Sequence, residues 1–141
     1  MSAKLDSSAG FHWPVRVYWE DTDAGGVVYY ANYLKFMERA RSEWLRALGF
    51  EQDALRDEAG VVFVVRRVEI DYLSPARFND QLDVVVRLHE AGRASFVVRQ
   101  ELIRDALCLA TAEVTLACVH ATHFKPVKIP SPILQALAHA T

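Results

Sequence analysis

Residues 17–48 read VYWEDTDAGGVVYYANYLKFMERARSEWLRAL, and this stretch decides the fold. It begins with strand-forming residues, passes through a turn rich in carboxylates and glycine, and continues into a pattern with a helical period. Apolar residues recur there at intervals of three and four, which predicts an amphipathic helix over residues 30–48. The apolar stripe consists of Tyr33, Phe36, Met37, Ala40, Trp44 and Leu48. We interpret it as core packing, and Gly49 is placed to end the helix in a left-handed conformation.

The remaining sequence predicts β-strands on both sides of this helix. The first spans residues 11–20, ahead of the glycine turn. After a loop around Gly60, apolar and polar residues alternate in four further segments separated by turn residues, which is typical of an antiparallel meander. The alternating apolar positions are Val68, Ile70 and Tyr72; Leu82, Val84, Val86 and Leu88; Phe96, Val98 and Leu102; and Cys108, Ala110, Ala112, Val114, Leu116 and Cys118.

This β-α-β-β-β-β order predicts an α+β fold in which the long helix lies across one face of a curved antiparallel sheet. The other sheet face looks too apolar to be left in water, and two edge strands need cover, so we expect a homo-oligomer. Residues 1–10 are expected to form a disordered lead and residues 11–125 the folded domain. Residues 126–141 are expected to form a Pro-rich tail that is extended up to a short helical turn near residues 133–138.

The composition is that of an ordinary soluble chain with one domain. The 141 residues are 52% apolar and 24% charged, with a net charge of −2 from 16 basic and 18 acidic side chains. No basic tract indicates nucleic-acid binding, and no run of about 18 apolar residues indicates a membrane span. Cys108 and Cys118 stand too far apart in one strand to bond to each other. Free thiols in a reducing compartment are expected, with the cytoplasm as the default location.

The segment around Asp23 has the layout needed for chemistry at a carbonyl group. Its carboxylates stand on a glycine turn just before a helix, whose N-terminus offers unpaired N–H groups and the positive end of the helix dipole. A carboxylate beside fixed N–H donors can attack a carbonyl or activate water while the amides hold the developing oxyanion.

These carboxylates have two other possible roles besides carbonyl chemistry. Asp23 can be a turn-forming residue that bonds to the backbone of its own loop. Glu20, Asp21 and Asp23 can also be viewed as a magnesium site, but no second cluster of carboxylates or His completes it. We therefore predict no metal, and we assign Asp21 a structural hydrogen-bonding role.

This segment resembles the signature of the 4-hydroxybenzoyl-CoA thioesterase (4HBT) family of hotdog proteins, and more closely that of the Tol–Pal-associated acyl-CoA thioesterases. The resemblance extends from about residue 13 to residue 119 and includes ERAR at 38–41, FVVR at 63–66, and PAR at 75–77 with Asp80. It implies a hotdog fold, which is a curved antiparallel sheet wrapped around one long central helix. It also implies a hydrolase that cleaves acyl-CoA thioesters to free acid and CoA without a metal or redox cofactor, as a dimer of dimers (a homotetramer).

Matched position by position, the resemblance implies roles for residues of the glycine loop and the helix start. Asp23 corresponds to the catalytic carboxylate. The backbone N–H of Tyr30 corresponds to the group that polarises the thioester carbonyl. Gly25 and Gly26 shape the loop so that the acyl thioester can approach the backbone.

The resemblance also implies substrate contacts outside the loop, with two departures from the family pattern. Arg93 corresponds to a contact to the CoA phosphates, although the family's basic neighbour is Ala94 here, and Arg66 is a further candidate for phosphate or pantetheine contact. The Tol–Pal-associated members usually carry His where this chain has Tyr30, whereas the benzoyl-CoA branch accepts Tyr because it uses the backbone amide. All five histidines lie outside the motif, so no His general base is assigned.

The sequence leaves the route, the substrate and one alternative function open. Asp23 can act as a nucleophile that forms an anhydride or as a general base toward water, and the acyl group is not determined. An acyl carrier protein can replace free CoA as the carrier. The alternative function is a non-catalytic protein that binds acyl-CoA or acyl carrier protein, or an assembly partner in the cell-envelope (Tol–Pal) machinery. Retention of Asp23 and the glycine loop favours catalysis, and a hotdog dehydratase ranks last because its loop needs a His.

Overall fold

The computed structural model describes residues 10–140, which form one five-stranded sheet and two helices of more than one turn. The strands are β1 (Phe11–Arg16), β2 (Val61–Tyr72), β3 (Gln81–Ala91), β4 (Ser95–Arg104) and β5 (Leu107–His120). The helices are α1 (Asn32–Ala47), the short α2 (Gln52–Ala54) and α3 (Ser131–Ala140), with a 3-10 turn at Trp19–Asp21 and a π-helical turn at Leu55–Ala59. The predicted α+β arrangement, a curved antiparallel sheet against one long helix, is confirmed.

The strand order of the sheet is β1-β3-β4-β5-β2, with every neighbouring pair antiparallel. β3, β4 and β5 form the predicted meander, but the meander is wrong for β2, which pairs with β5 on the far edge. The connection from β2 to β3, residues 73–80, passes the ends of β5 and β4, where it bonds to Leu109 and Arg104. Alternation in sequence specifies which side chains of a strand face the core, but it does not specify the neighbouring strand.

Helix α1 covers the inner face of the sheet as its spacing predicts, within two residues of the predicted start. The centre of its apolar stripe is fully buried, with no exposed surface on Phe36, Met37 and Ala40. The helix ends at Gly49, which has φ +102°, and the N–H of Phe50 donates to the carbonyl of Leu45 at 2.9 Å. This pattern is a Schellman cap, so the predicted left-handed end is confirmed.

A polar contact links α1 to the sheet inside the core. Arg41, placed by its helical position on the polar side of α1, is buried and donates to Gln100 Oε1 at 3.0 Å. The Gln100 amide in turn donates to the carbonyl of Met37 at 3.0 Å. Burial lowers the pKa of the Arg41 guanidinium, and the nearby Glu38 carboxylate partly offsets this effect. The sheet wraps far enough around α1 to cover this position.

The two ends of the described chain differ from the expected boundaries. The disordered lead predicted for residues 1–10 lies outside the described residues except for Gly10, which is buried. β1 ends at Arg16 rather than near Glu20, because the chain turns into the Trp19–Asp21 3-10 turn. Residues 126–141, expected as a tail, include the ten-residue helix α3, whose Ile133 and Leu137 lie in the hydrophobic core.

The outer sheet face is more polar than the sequence suggested. Because directly paired residues share a face, one row across four strands contains Arg87, Arg99, Glu113 and Glu69. In this row Arg99 pairs with Glu113 at 3.3 Å, and Arg87 pairs with Glu101 on the same face at 2.6 Å. The expectation of an apolar outer face is therefore wrong. The part of the sheet that still needs a partner is its two edge strands, each of which is bonded to a strand on one side only within residues 10–140.

The apolar face of β5 is as predicted except at its first cysteine. A register shift opposite Leu102 and Ile103 places both Leu109 and Ala110 in the core, so Cys108 leaves the common face. Both cysteines are free, and burial raises the pKa of each thiol.

Within residues 10–140, no helix is long and apolar enough to cross a membrane.

Candidate active site

The loop between β1 and α1 is a tight turn held by its own backbone. The Asp23 N–H donates to the carbonyl of Val27 at 2.9 Å, and the Gly26 N–H donates back to the carbonyl of Asp23 at 3.1 Å. Thr22 and Val28 close the turn with an isolated β-bridge. Gly26 has φ +80°, a left-handed conformation that a residue with a side chain adopts only at a cost. The two glycines therefore let the chain reverse directly beside Asp23.

The Asp23 side chain stands exposed on this turn with one oxygen bonded. Its Oδ1 accepts a hydrogen bond from the Gly25 N–H at 2.8 Å, and a Cβ at Gly25 would approach the same oxygen to 3.3 Å. Across residues 10–140, Oδ2 has no hydrogen-bond partner. The bond to Gly25 orients the carboxylate, and the second oxygen remains available to a ligand or a water molecule.

Asp21 differs from Asp23 in burial and in bonding. It is buried, and its Oδ2 accepts from the Tyr18 N–H at 2.8 Å. Its backbone carbonyl accepts from the Tyr29 N–H at 3.0 Å and from the Asn32 side-chain amide at 2.9 Å. These bonds tie the strand end to the helix start, which agrees with the structural role predicted for Asp21.

Tyr30 lies at the junction of the turn and α1. Its backbone N–H has no acceptor among the described residues, while its carbonyl accepts from the Tyr33 N–H at 3.3 Å and from the Tyr72 hydroxyl at 3.1 Å. The unpaired N–H stands at the positive end of the α1 dipole. The residue thus presents a fixed donor of the kind that holds an oxyanion.

A surface cleft of about 280 Å³ opens beside Tyr30. It is lined by Val28, Tyr30, Tyr33, Tyr72, Leu73, Ser74 and Pro75. The rings of Tyr33 and Tyr72 meet edge to face, with their centres 5.0 Å apart. Burial raises the pKa of Tyr72, with further contributions from Tyr30 and Tyr33, so its hydroxyl stays protonated and able to donate at neutral pH. The cleft offers an aromatic and aliphatic wall next to the candidate oxyanion donor.

The predicted phosphate contacts do not lie with Asp23 in one chain. Arg93 is exposed in the turn that follows β3, whereas the Asp23 loop follows β1, whose last residue pairs with the first residue of β3. The first and last of the eleven residues of β3 lie about 33 Å apart at about 3.3 Å per residue. Arg66 is exposed on β2, at a register shift next to Val65. The structure therefore places Asp23, Gly25 and Gly26 on one turn and Tyr30 where that turn meets α1, and it leaves the two arginines elsewhere.

The other candidate groups are not built into this site. Within residues 10–140, no group of three or more His, Cys, Asp or Glu side chains is arranged to hold a metal ion. His12 bonds to Asp83 at 2.7 Å, and the rings of His120 and His123 stack at the far end of β5. Within the described part of the chain, no hydrogen bond connects His120 or His123 to the Asp23 loop.

Sequence reasoning missed the contribution of the β2–β3 connection to this loop. The Val28 N–H donates to the Ala76 carbonyl at 2.8 Å, and Val27 forms a β-bridge with Arg77. The Tyr33 hydroxyl accepts from the Ala76 N–H at 2.9 Å inside the core. The match of PAR and Asp80 to the family pattern was the available signal, but it carried no information about their contacts.

Gly26→Ala is expected to lower both stability and the activity that depends on the loop. An L-residue at φ +80° costs about 1–2 kcal/mol, and relief of that strain would move the adjacent Asp23. Gly60→Ala is the matched control, because Gly60 has φ +69°, has no atom within 4 Å of an added Cβ, and lies at the start of β2. Both variants should lose similar unfolding free energy in urea, and only Gly26→Ala should lose activity. Equal activities in the two variants would contradict a role for the turn geometry.

Comparison with known proteins places the chain in a family. The family model for the thioesterase-like superfamily matches residues 17–137. The acyl-CoA thioesterase YbgC of Haemophilus influenzae is 47% identical over 130 residues, which cover 92% of this chain and 96% of that protein. The acyl-CoA thioester hydrolase YbgC of Escherichia coli O157:H7 is 45% identical over 125 residues, covering 88% and 92%.

A solved structure agrees with this placement. The 1,4-dihydroxy-2-naphthoyl-CoA thioesterase Slr0204 from Synechocystis superposes with a TM-score of 0.84 at 25% identity, covering 91% of this chain and 95% of that one. The fold and the sequence match agree with the thioesterase family that the sequence resembles. The chain belongs to the thioesterase-like superfamily, with the hotdog fold.

Proposed function

We propose that this protein is an acyl-CoA thioesterase, which hydrolyses an acyl-CoA to the free acid and CoA at the turn between β1 and α1. The observation that carries the proposal is that one eight-residue segment holds both a carboxylate with an unbonded oxygen and a helix-start N–H without an acceptor. Asp23 supplies the first and Tyr30 the second. The relatives that are 45–47% identical carry acyl-CoA thioesterase names, which supports the reaction class predicted from the sequence.

The chemistry follows from the two groups. The thioester carbonyl oxygen accepts the Tyr30 N–H, and negative charge that develops on this oxygen during addition is stabilised by the fixed donor. Either Asp23 attacks the carbonyl carbon and expels the CoA thiolate, leaving an anhydride that water hydrolyses, or Asp23 takes a proton from the attacking water. Both routes use an ionised carboxylate and end with the acid, the thiol and a regenerated Asp23.

We propose further that two copies of the chain form each site. β1 and β2 are the sheet edges, and the twelve-residue β2 leaves Val65 47% exposed and, at its other end, Tyr72 43% exposed. A long open edge of this kind favours pairing with another strand. Antiparallel pairing of two β2 strands about a two-fold axis turns the Arg93 end of one copy toward the Asp23 end of the other. Arg93 of one copy can then meet the CoA phosphates of a substrate bound at Asp23 of its neighbour.

A complementation experiment tests the shared site. Asp23→Asn and Arg93→Ala chains, each weak alone, are co-expressed with different tags and the mixed species is purified. Each purified mixed dimer has one intact site of two, so about half of the parental activity per dimer should return at low substrate concentration. If Arg93 and Asp23 acted within one chain, the activity of the mixed species would not exceed the mean activity of the two single variants.

The first experiment on the function itself is thiol release from a panel of short, long and aromatic acyl-CoAs. Turnover of any member by the parent protein, lost in Asp23→Asn, supports the thioesterase. Binding without turnover favours the non-catalytic acyl-CoA or acyl-carrier-protein binding role. The panel also names the acyl class. Four further expectations stay predictions: that the protein accepts acyl carrier protein thioesters, that it forms a tetramer, that it needs no cofactor, and that it is located in the cytoplasm.

A further inference from the structure

The β2–β3 connection, residues 73–80, contacts the Asp23 loop at Gly26, Val27 and Val28. It meets the Asp23 loop through the Val28 N–H bond to Ala76 at 2.8 Å and the Phe78 N–H bond to the Gly26 carbonyl at 3.3 Å. It also stacks on the turn before the loop, since the rings of Trp19 and Phe78 lie 4.1 Å apart and nearly parallel. The loop that carries Asp23 thus rests on this connection along its length.

The same connection reaches α1 and the end of β1. The Ala76 N–H donates to the buried Tyr33 hydroxyl, and Asp80 and Asn79 exchange backbone bonds with Val17, both at 2.9 Å. Asn79 has φ +69°, a left-handed conformation, so the connection is sharply turned where it enters β3. Movement of residues 73–80 would therefore be passed to the helix start and to the carboxylate together.

An ion pair anchors this connection to the sheet. Arg104, the last residue of β4, donates to Asp80 Oδ2 at 2.7 Å and to the Pro75 carbonyl at 3.2 Å. The same Asp80 oxygen accepts from the Arg77 N–H at 2.9 Å. The two side chains are only 24% and 20% exposed, so solvent screens this pair less than a surface pair. One pair of charged groups thus bonds to both ends of the segment that supports the loop.

We propose that Asp80 and Arg104 are positioning residues for the reaction, a role that rests on the proposed thioesterase function. Neither side chain is assigned contact with substrate. Without the pair, residues 75–80 would relax, and the Ala76 and Gly26 contacts that orient the Asp23 turn would loosen. A misplacement of about 1 Å at reacting groups can cost about 100-fold in rate. Because neither Asp80 nor Arg104 lines the cleft beside Tyr30, the loss should appear mainly in kcat and leave KM nearly unchanged.

The test compares this pair with another ion pair of the same sheet. Arg87 and Glu101 join at 2.6 Å on the outer face of β3 and β4. Arg104→Met and Asp80→Asn should lower kcat by about 10- to 100-fold, with KM changed by less than about threefold. Arg87→Met and Glu101→Gln should keep kcat within about twofold at a comparable loss of melting temperature. Arg104→Lys should recover part of the rate, because Lys keeps the charge but not the planar guanidinium that holds Nη1 within reach of both acceptors.

Hydrogen exchange gives a readout that needs no activity. In Arg104→Met and Asp80→Asn, the Val28 N–H should exchange about tenfold faster, since the loop opens more often, while amides in the middle of α1 stay as in the parent. An active parent with an inactive Asp23→Asn, but with unchanged kcat and unchanged Val28 exchange in Arg104→Met, would overturn the positioning role alone. An inactive parent with faster Val28 exchange in the variant would overturn the thioesterase and keep the anchoring of the loop.

Discussion

Asp23→Asn is expected to lower kcat toward the best acyl-CoA by about 100- to 10,000-fold, the range that a lost general base or nucleophile commonly produces. Asparagine keeps the side-chain oxygen that accepts from the Gly25 N–H at 2.8 Å, so the turn should retain its shape. What disappears is the negative charge and the lone pair that attacks carbon or takes a proton. The measurement is thiol release under saturating substrate, with the melting temperature recorded for each protein.

Glu20→Gln is the matched control for Asp23→Asn. Glu20 is an exposed carboxylate three residues away in the 3-10 turn, and the same change of charge there should leave kcat within about twofold. Equal rates for the parent and a folded Asp23→Asn protein would rule out the carboxylate mechanism. A similar loss in both variants would indicate a general effect of charge near the site.

Tyr30→Pro is expected to lower kcat by about 100- to 1000-fold, because proline removes the backbone N–H proposed to hold the oxyanion. Proline is tolerated near a helix start, and it keeps the carbonyl that accepts from Tyr33 and from the Tyr72 hydroxyl. Tyr30→Phe and Tyr30→His keep the N–H and should stay within about fivefold of the parent, since they change only the side chain.

The three Tyr30 variants separate a backbone role from a side-chain role. Because proline also restricts Tyr29, circular dichroism and the melting temperature must show that Tyr30→Pro is folded before its rate is used. Full activity in a folded Tyr30→Pro protein would remove the amide from the mechanism. A large loss in Tyr30→Phe would instead assign the chemistry to the phenol, and the departure from the His of related proteins would then matter.

The parts of the site that could be predicted are those formed by neighbours in sequence. Asp23, Gly25, Gly26 and Tyr30 lie within eight residues of one another, so turn chemistry and the helix start bring them together. The structural role predicted for Asp21 agrees with its burial and with the bond that it accepts from the Tyr18 N–H. Tyr72 was assigned to a strand, but its hydrogen bond to the Tyr30 carbonyl joins positions 42 residues apart. No local pattern specifies such a contact.

The fold shows the same division between local and distant effects. The period of the α1 stripe and its glycine end were visible in the sequence because both arise within a few turns of one helix. The place of β2 beside β5, the burial of Arg41 and the core position of α3 were not visible. Each depends on which surfaces meet after the chain has closed loops of many residues.

The sequence by itself determined the helix, the strand segments, the Asp23 turn and the family. Short-range sterics, hydrogen bonding and the period of apolar residues act at these positions with little help from distant residues. Only the tertiary structure decided the strand order, the separation of Arg93 from Asp23 within one chain, and the support of the turn by residues 73–80. These features come from packing and pairing between segments far apart in the chain, where many arrangements bury similar apolar area and the native contacts select one.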